Sequence, residues 1–244
     1  MAVSKPTILA IQNDETDAPH LVGSWLEELG FTIEVLRAYA GEAVPLQVPE
    51  SISALLPLGG HMNANDDAEH PWLTHERALL KDAIDRDIPI FAICLGTQLL
   101  AIAGGGRVER ADIGEVGIYP IHRLDVPDPI FTFNNPVPVA QWHEDQVTQL
   151  PHGATLLASS DLCENQIYRL GSKSYGVQFH PEIDLEIVKW WESEADNAFK
   201  DSGKRTIQPE MALAEASLIE TWKPIIQGWG REVIGQSFHH QPRQ

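Results

Sequence analysis

The chain has 244 residues, 43% of them hydrophobic, which is long enough to bury the core of a doubly wound α/β domain. Its 17 basic and 35 acidic residues give a net charge of −18, which disfavours nucleic-acid backbones and anionic membranes as partners. No segment has the roughly 18 apolar residues of a membrane-spanning helix, and no cleavage signal follows the N-terminus. The two cysteines are too few for a disulfide framework. We therefore expect a cytoplasmic protein.

Strand and helix patterns alternate through the first half of the chain. The strand patterns cover 7–13, 31–37, 53–60 and 88–93, and the helix patterns cover 20–30, 71–86 and 95–106. This alternation predicts a mostly parallel central sheet with helices on both faces, an α/β fold of flavodoxin-like architecture.

The second half changes character, with short strand patterns and few helices between them. These patterns lie at 115–122, 137–143, 155–160, 165–170 and 174–180. We expect them to extend the sheet and to add an antiparallel flap. The pattern is helical from Asp184 onward, so we divide the chain into a domain over 1–183 and C-terminal helices over 184–244 that pack on the same domain.

Cys94 stands between a predicted strand and a predicted helix, where α/β sheets usually carry their ligands. Ala92-Ile93-Cys94-Leu95-Gly96 has the small-x-nucleophile-x-glycine form of a nucleophile elbow, whose sharp turn demands small neighbours two residues away. The N-terminus of the new helix favours the thiolate over the thiol. The alternative is an inert cysteine that is merely buried.

The segment GVQFHPE, residues 176–182, contains a base and an acid for such a nucleophile. His180 ends a predicted strand, and Glu182 follows two residues later, close enough to bond the imidazole. Histidine precedes the acid here, whereas α/β-hydrolases have the reverse order. Proteases and chaperones similar to the Parkinson-associated deglycase usually carry histidine directly after the cysteine, where this chain has Leu95.

Four motifs in order, LPLGG, FAICLGTQLLA, QWHEDQV and GVQFHPE, resemble those of the class I (triad) glutamine amidotransferases. The resemblance runs from about Ser53 to Glu182 and is strongest to stand-alone proteins similar to the glutaminase domain of GMP synthase. It implies that Cys94 attacks the side-chain amide of glutamine, that His180 carries the proton to the leaving ammonia, and that Glu182 orients His180. A γ-glutamyl thioester would then be hydrolysed to glutamate.

The same resemblance implies the groups that bind the substrate. The oxyanion is expected to meet the backbone N–H groups of Gly59, Gly60 and Leu95. The substrate is expected to contact Gln98 and, through a loop formed by WHEDQV, His143 and Asp145. The resemblance implies no metal and no cofactor.

Three functions remain open at this point. The chain contains no ATP-pyrophosphatase loop, so the first is a glutaminase that passes ammonia to a separate synthase subunit. The second is a synthase-independent hydrolase of γ-glutamyl amides or peptides that uses the same triad. The third is a binding or regulatory protein that has the fold of an enzyme but has lost its catalytic activity. The intact set of Cys94, His180 and Glu182 argues against this function.

Overall fold

The computed structural model of the protein describes residues 5–194 and 206–237. Its strands are β1 (Thr7–Gln12), β2 (Thr32–Arg37), β3 (Ile52–Pro57), β4 (Ile90–Ile93), β5 (Arg107–Arg123), β6 (Val137–Gln149), β7 (Ala154–Ser159), β8 (Ile167–Leu170) and β9 (Ser174–Val177). Its helices are α1 (His20–Glu27), α2 (Trp72–Asp85), α3 (Leu95–Ala103), α4 (Leu185–Glu194) and α5 (Gln208–Ser237), with a short 3-10 helix at Ala38–Ala40.

All of these strands belong to one sheet, in the order β2-β1-β3-β4-β9-β8-β7-β5-β6. The first five strands in this order pair in parallel. The remaining strands pair antiparallel, and β5 and β6 form a long hairpin at the edge. The α/β fold predicted from the alternating patterns is confirmed, and the short strands of the second half extend the sheet.

Alternate residues of the parallel strands enter two separate hydrophobic layers. On β1, Ile8 and Ala10 pack in the layer that contains α1 and α5, whereas Leu9 and Ile11 pack in the layer that contains α2 and α3. Successive side chains of a strand point to opposite faces of the sheet, and both faces of a parallel sheet are normally covered. The near-continuous apolar runs of β1, β3 and β4 follow from this double burial.

The C-terminal helices cover the same face of the sheet as α1. Trp222 and Trp229 of α5 are buried, and the Trp222 ring lies 4.7 Å from the ring of Phe179, measured between centroids. Phe179 directly precedes His180, so α5 braces the chain segment that carries this histidine. None of the helices within the described ranges has an apolar stretch long enough to cross a membrane.

One local prediction is wrong. The segment WHEDQV, residues 142–147, was expected to form a loop, but it lies inside β6, where Glu115 of β5 pairs with His143. Pairing with β5 holds this polar segment in a strand, and strand pairing of this kind depends on the neighbouring strand more than on local composition.

Candidate active site

Cys94 is the single residue between β4 and α3. Its φ of 48° and ψ of −109° lie in a region that residues other than glycine rarely adopt. Such a conformation costs on the order of 1–3 kcal/mol and persists only where the surroundings hold it. Here the Cys94 N–H donates to the Val177 carbonyl over 2.9 Å, and the Thr97 hydroxyl donates to the carbonyls of Ala92 and Val177 over 2.8 Å each. These bonds tie the turn to β9.

Gly96 allows α3 to start directly against the end of β3. A Cβ atom on Gly96 would lie 2.2 Å from the carbonyl oxygen of Pro57, closer than any real contact. The Gly96 N–H donates to the Leu58 carbonyl over 3.0 Å. The glycine that follows the cysteine by two residues is therefore required by close backbone approach.

His180 connects Cys94 with Glu182. Its Nδ1 lies 2.6 Å from Glu182 Oε1 and donates to it, because a carboxylate can only accept. The same imidazole ring interacts with the side chain of Cys94. The backbone N–H of His180 donates to the Ala140 carbonyl of β6 over 2.9 Å, which fixes the position of the ring. The side chains of His180 and Glu182 are 2% and 1% exposed, so their contact is shielded from solvent.

The charges around His180 decide its protonation state. Burial disfavours the imidazolium, but the negative charges of Glu182 and Cys94 outweigh this and raise the pKa of His180 well above its ordinary value. The structure therefore favours a positive ring between a carboxylate and the sulfur. A protonated imidazole in this position can donate a proton to a leaving nitrogen.

Two further groups approach the sulfur of Cys94. The side-chain nitrogen of Gln178 lies 3.7 Å from Sγ, and the Trp142 carbonyl oxygen lies 3.9 Å from it. The sequence analysis did not single out Gln178, although a signal was present, since residues two apart on an extended segment, such as Gln178 and His180, point to the same side.

The sulfur opens on a cleft of about 900 Å³ whose wall includes Gly60, Leu95 and Gln98. A Cβ atom on Gly60 would lie 3.0 Å from the Leu95 side chain, and one on Gly59 would lie 3.1 Å from His180 Cε1. Within residues 5–194 and 206–237, the N–H groups of Gly59 and Gly60 donate to no acceptor. The structure thus brings two free backbone donors together with the first residue of α3.

A buried polar pair, Asn13 and Glu76, contacts the chain directly before this glycine loop. The Asn13 side-chain nitrogen lies 3.4 Å from both the Leu58 carbonyl oxygen and Glu76 Oε1. Glu76 is fully buried, and its Oε2 has no partner in the described part of the chain. Burial raises the pKa of Glu76 to about 8, against the lowering effects of Asn13 and Arg77. This carboxyl group is therefore mainly neutral at pH 7.

The predicted substrate contacts lie along the same cleft. The side-chain nitrogen of Gln98 donates to the Asp145 carbonyl over 3.0 Å, and the Asp145 carboxylate accepts from Asn63 over 2.7 Å. The ring of His143 has Nδ1 3.0 Å from the Asp145 carbonyl oxygen and Nε2 3.2 Å from Glu115 Oε2. Both nitrogens of His143 face protein atoms, so the prediction that His143 contacts substrate rests only on its place in the cleft wall.

Two buried groups bring together side chains of the types that ligate metals. They are Glu115 with His143 and Cys163, and Asp17 with His180 and Glu182, each with donor atoms within 4.8 Å of one another. In the first group Gln166 donates to the Glu115 carboxylate over 3.0 Å, and burial raises the pKa of Cys163 to about 12. That group is a hydrogen-bonded network with a neutral thiol, and the second group overlaps the predicted triad of Cys94, His180 and Glu182.

The model of one protein family, described as glutamine amidotransferase class-I, matches residues 18–188. The chain belongs to this family. The resemblance stated from the four motifs is thereby confirmed. Class I glutamine amidotransferases are cysteine-dependent amide hydrolases, and the protein is an enzyme of this kind.

Two curated relatives of this amidotransferase are matched over most of their own length. A glutamine amidotransferase-like protein of Salmonella typhimurium, YfeJ, is 34% identical over 191 residues, which are 75% of this chain and 79% of that protein. A glutamine-hydrolyzing GMP synthase subunit from Thermococcus kodakarensis is 32% identical over 163 residues, which are 66% of this chain and 85% of that relative.

Two solved structures share the fold almost throughout. A glutamine amidotransferase from Methylobacillus flagellatus superimposes with a TM-score of 0.84 at 28% identity, covering 93% of this chain and 94% of that one. A glutamine amidotransferase from Thermotoga maritima superimposes with a TM-score of 0.83 at 27% identity, covering 93% and 99% of the two chains.

Proposed function

We propose that this amidotransferase hydrolyses the side-chain amide of glutamine through a γ-glutamyl thioester on Cys94 and releases ammonia for a separate synthase subunit. The observation that carries the proposal is the position of His180, which bonds Glu182 and interacts with Cys94 in the same cleft. A separate synthase is supported by the Thermococcus kodakarensis relative, which is itself named as one subunit of a glutamine-hydrolyzing synthase.

Acylation begins when the thiolate of Cys94 forms a bond to the side-chain carbonyl carbon of glutamine, and the electron pair of the carbonyl moves to its oxygen. The free N–H groups of Gly59 and Gly60, with that of Leu95, receive this oxyanion. One such donor is worth on the order of 3 kcal/mol in acyl transfer. The imidazolium of His180 gives its proton to the nitrogen as the carbon–nitrogen bond breaks, and ammonia leaves.

Deacylation reverses the roles of the same groups. Neutral His180 takes a proton from water, the resulting hydroxide adds to the thioester, and the carbon–sulfur bond breaks to release glutamate and restore the thiolate. Glu182 accepts from Nδ1 of His180 throughout, so the other ring nitrogen keeps facing the reacting atoms.

The cleft wall supplies the groups for the amino-acid end of the substrate. Because the side-chain nitrogen of Gln98 is committed to the Asp145 carbonyl, its oxygen is the end that can accept from the α-ammonium group. The Asp145 carboxylate provides a negative charge on the same wall, and His143 lies beside it.

A second candidate function is the hydrolysis of γ-glutamyl amides or peptides without a synthase. It is favoured by the size of the cleft, since about 900 Å³ lies near the upper end of the roughly 300–1,000 Å³ of small-molecule pockets and exceeds what one free amino acid fills. The chemistry at Cys94 would be the same, with an amine in place of ammonia as the leaving group.

The test compares the wild-type protein with Cys94→Ala and, as matched control, Cys163→Ala. Release of ammonia or amine is measured from glutamine and from a panel of γ-glutamyl amides and dipeptides, and labelling by a glutamine-like electrophile is followed by mass spectrometry. Cys94→Ala is expected to lose activity by at least about a thousandfold and to lose labelling, because the nucleophile is gone. Cys163→Ala keeps both.

The outcomes separate the candidates. Glutamine cleaved in preference to the panel, or labelling of Cys94 without turnover, supports a glutaminase that depends on a synthase. Preferential cleavage of the panel identifies a self-sufficient γ-glutamyl hydrolase. Activity and labelling that survive in Cys94→Ala refute both proposals.

A further inference from the structure

Asp17 lies beside the triad but has no role in the mechanism described above. It belongs to the polar turn after β1, where its N–H donates to the Asp14 carbonyl over 3.2 Å and its Oδ2 accepts from the Thr16 hydroxyl over 3.3 Å. Only 8% of Asp17 is exposed, and it forms part of the wall of the cleft that holds Cys94.

The carboxyl group of Asp17 is close to two ionised members of the site. One of its oxygens, a ring nitrogen of His180 and a carboxylate oxygen of Glu182 lie within 4.8 Å of one another. A Cβ atom on Gly59 would lie 2.3 Å from Asp17 Oδ1 and 3.1 Å from His180 Cε1, so the carboxyl group and this ring edge flank the glycine loop together. The Oε2 atom of Glu182 is buried and has no partner in the described residues.

Apart from the glycine loop, the neighbours of Asp17 come from three segments. His180 and Glu182 face it from the segment after β9, and Asp14 faces it from its own turn. On the remaining side α4 contributes Trp191, whose ring lies 4.8 Å from that of His180 and whose N–H donates to the Thr16 carbonyl over 3.3 Å. No lysine or arginine of residues 5–194 and 206–237 forms an ion pair with Asp17, and His180 is the cation whose charge acts on it.

The protonation of Asp17 therefore depends on burial and on the triad. Burial raises the pKa of Asp17 to about 7, with the charge of His180 lowering it and those of Asp14 and Glu182 raising it further. Asp17 is neutral below this pH and ionised above it. Two charges in close contact each favour the charged form of an oppositely charged neighbour, and the effect is mutual.

We propose that Asp17 is a positioning residue that acts through His180: its carboxylate stabilises the imidazolium of His180, and its neutral form leaves that imidazolium a stronger proton donor. The ionisation of one side chain thereby adjusts how readily His180 gives its proton to the leaving amine. The inference rests on the proposed role of His180, but it does not depend on which γ-glutamyl amide is the substrate.

Proton NMR of the His180 ring tests this directly, with the signal assigned from a His180→Gln sample. Its Cε1 proton is a suitable probe because this ring edge faces the space that Asp17 shares with Gly59. In the wild-type protein the Cε1 proton is expected to show an inflection near pH 7, as Asp17 ionises, and a main titration at higher pH.

Asp17→Asn is isosteric and cannot ionise. It is expected to remove the inflection and to move the main titration of His180 to lower pH by about one unit, a tenfold change in its proton affinity. Asp17→Glu can ionise, so both the inflection and the main titration at higher pH are expected to return. Glu15→Gln changes an exposed carboxylate of the same turn and should leave the wild-type titration unchanged.

A wild-type signal without the inflection overturns the proposal, and this result needs no variant to fold. A main titration at the same pH in folded Asp17→Asn and in the wild type also overturns it. The measurement uses no substrate, so a failed glutaminase assay leaves its result unaffected. Conversely, if Asp17→Asn does not change the titration of His180, the glutaminase proposal still stands.

Discussion

Carboxyl groups in the cleft and beneath its glycine loop differ in charge because their surroundings differ. Glu182 bonds the Nδ1–H of His180 and is paired with the imidazolium that it helps to stabilise. Asp17 and Glu76 are buried without an ion pair in the described residues, and burial raises the pKa of Asp17 to about 7 and that of Glu76 to about 8. Burial opposes ionisation where no cation is bonded directly to the carboxylate, whereas a directly bonded cation favours it.

Glu76→Gln is expected to stabilise the protein at alkaline pH. The folded-state pKa of Glu76, about 8, lies above its ordinary value of 4.5, so the folded protein retains a proton that the unfolded chain releases, and stability falls as pH rises between these values. Glutamine removes this loss while its oxygen can still accept from Asn13. The free energy of unfolding, measured in urea, should rise on the order of 3 kcal/mol at pH 8.5 and show no comparable gain at pH 4.

The matched control for this change is Glu27→Gln on α1, where the carboxylate is exposed. It should alter the free energy of unfolding by no more than about 0.5 kcal/mol at either pH. Equal pH dependence of stability in Glu76→Gln and the wild type would show that Glu76 is ionised in the folded protein.

The strand-turn-helix unit of β4, Cys94 and α3 shows how local sequence and tertiary contact act together. Small residues and a glycine permit the sharp turn, but its positive φ is held by bonds from Cys94 and Thr97 to β9. Gly96 is needed because of a third element, β3, whose last carbonyl oxygen occupies the space of a Cβ atom. Cys94, the proposed nucleophile, is therefore positioned by three neighbouring strands.

Gly96→Ala should damage this unit selectively. The added Cβ atom meets backbone, which cannot rotate away, so we expect a loss of about 1–3 kcal/mol or more in the free energy of unfolding and slower labelling of Cys94. Gly228→Ala on α5 is the control, since only Ile130 comes as near as 4.0 Å. It should be neutral or stabilising by up to about 1 kcal/mol. Equal stability and labelling in the two variants would contradict this account of Gly96.

The whole molecule depends on covering both faces of the sheet. One layer is closed by α2 and α3, and the other by α1, α4 and α5. The face under α5 contains Phe133 and Phe179, both of which contact the ring of Trp222. Since Phe179 precedes His180, the packing of the last helix supports the segment that carries His180.

Trp222→Ala should therefore destabilise the protein strongly, by about 3–5 kcal/mol, because it removes a buried ring and leaves a cavity. Leu213→Ala on the same helix is the control, since Leu213 is 88% exposed and should change stability by less than about 0.5 kcal/mol. Urea unfolding of the two variants checks this. Similar midpoints for both would mean that α5 adds little to the core.

Part of the candidate site could be predicted because it depends on residues close in sequence. The spacing of His180 and Glu182 suffices to predict their contact, and the small residues around Cys94 suffice to predict the turn. Asp17 could not be found in this way, since it comes from the other end of the chain and carries no motif. The only signal was its place after β1, at the edge of the sheet where ligands collect.

The sequence by itself determined the α/β alternation, the order of the four motifs and the family, because periodicity and spacing are properties of short segments. Only the tertiary structure decided that WHEDQV lies in a strand paired with β5, that Glu115 occupies one nitrogen of His143, and that Asp17 shares the surroundings of His180. These facts arise from contacts between distant segments, whose energies depend on burial and on the neighbouring charge. Local pattern contains no information about either.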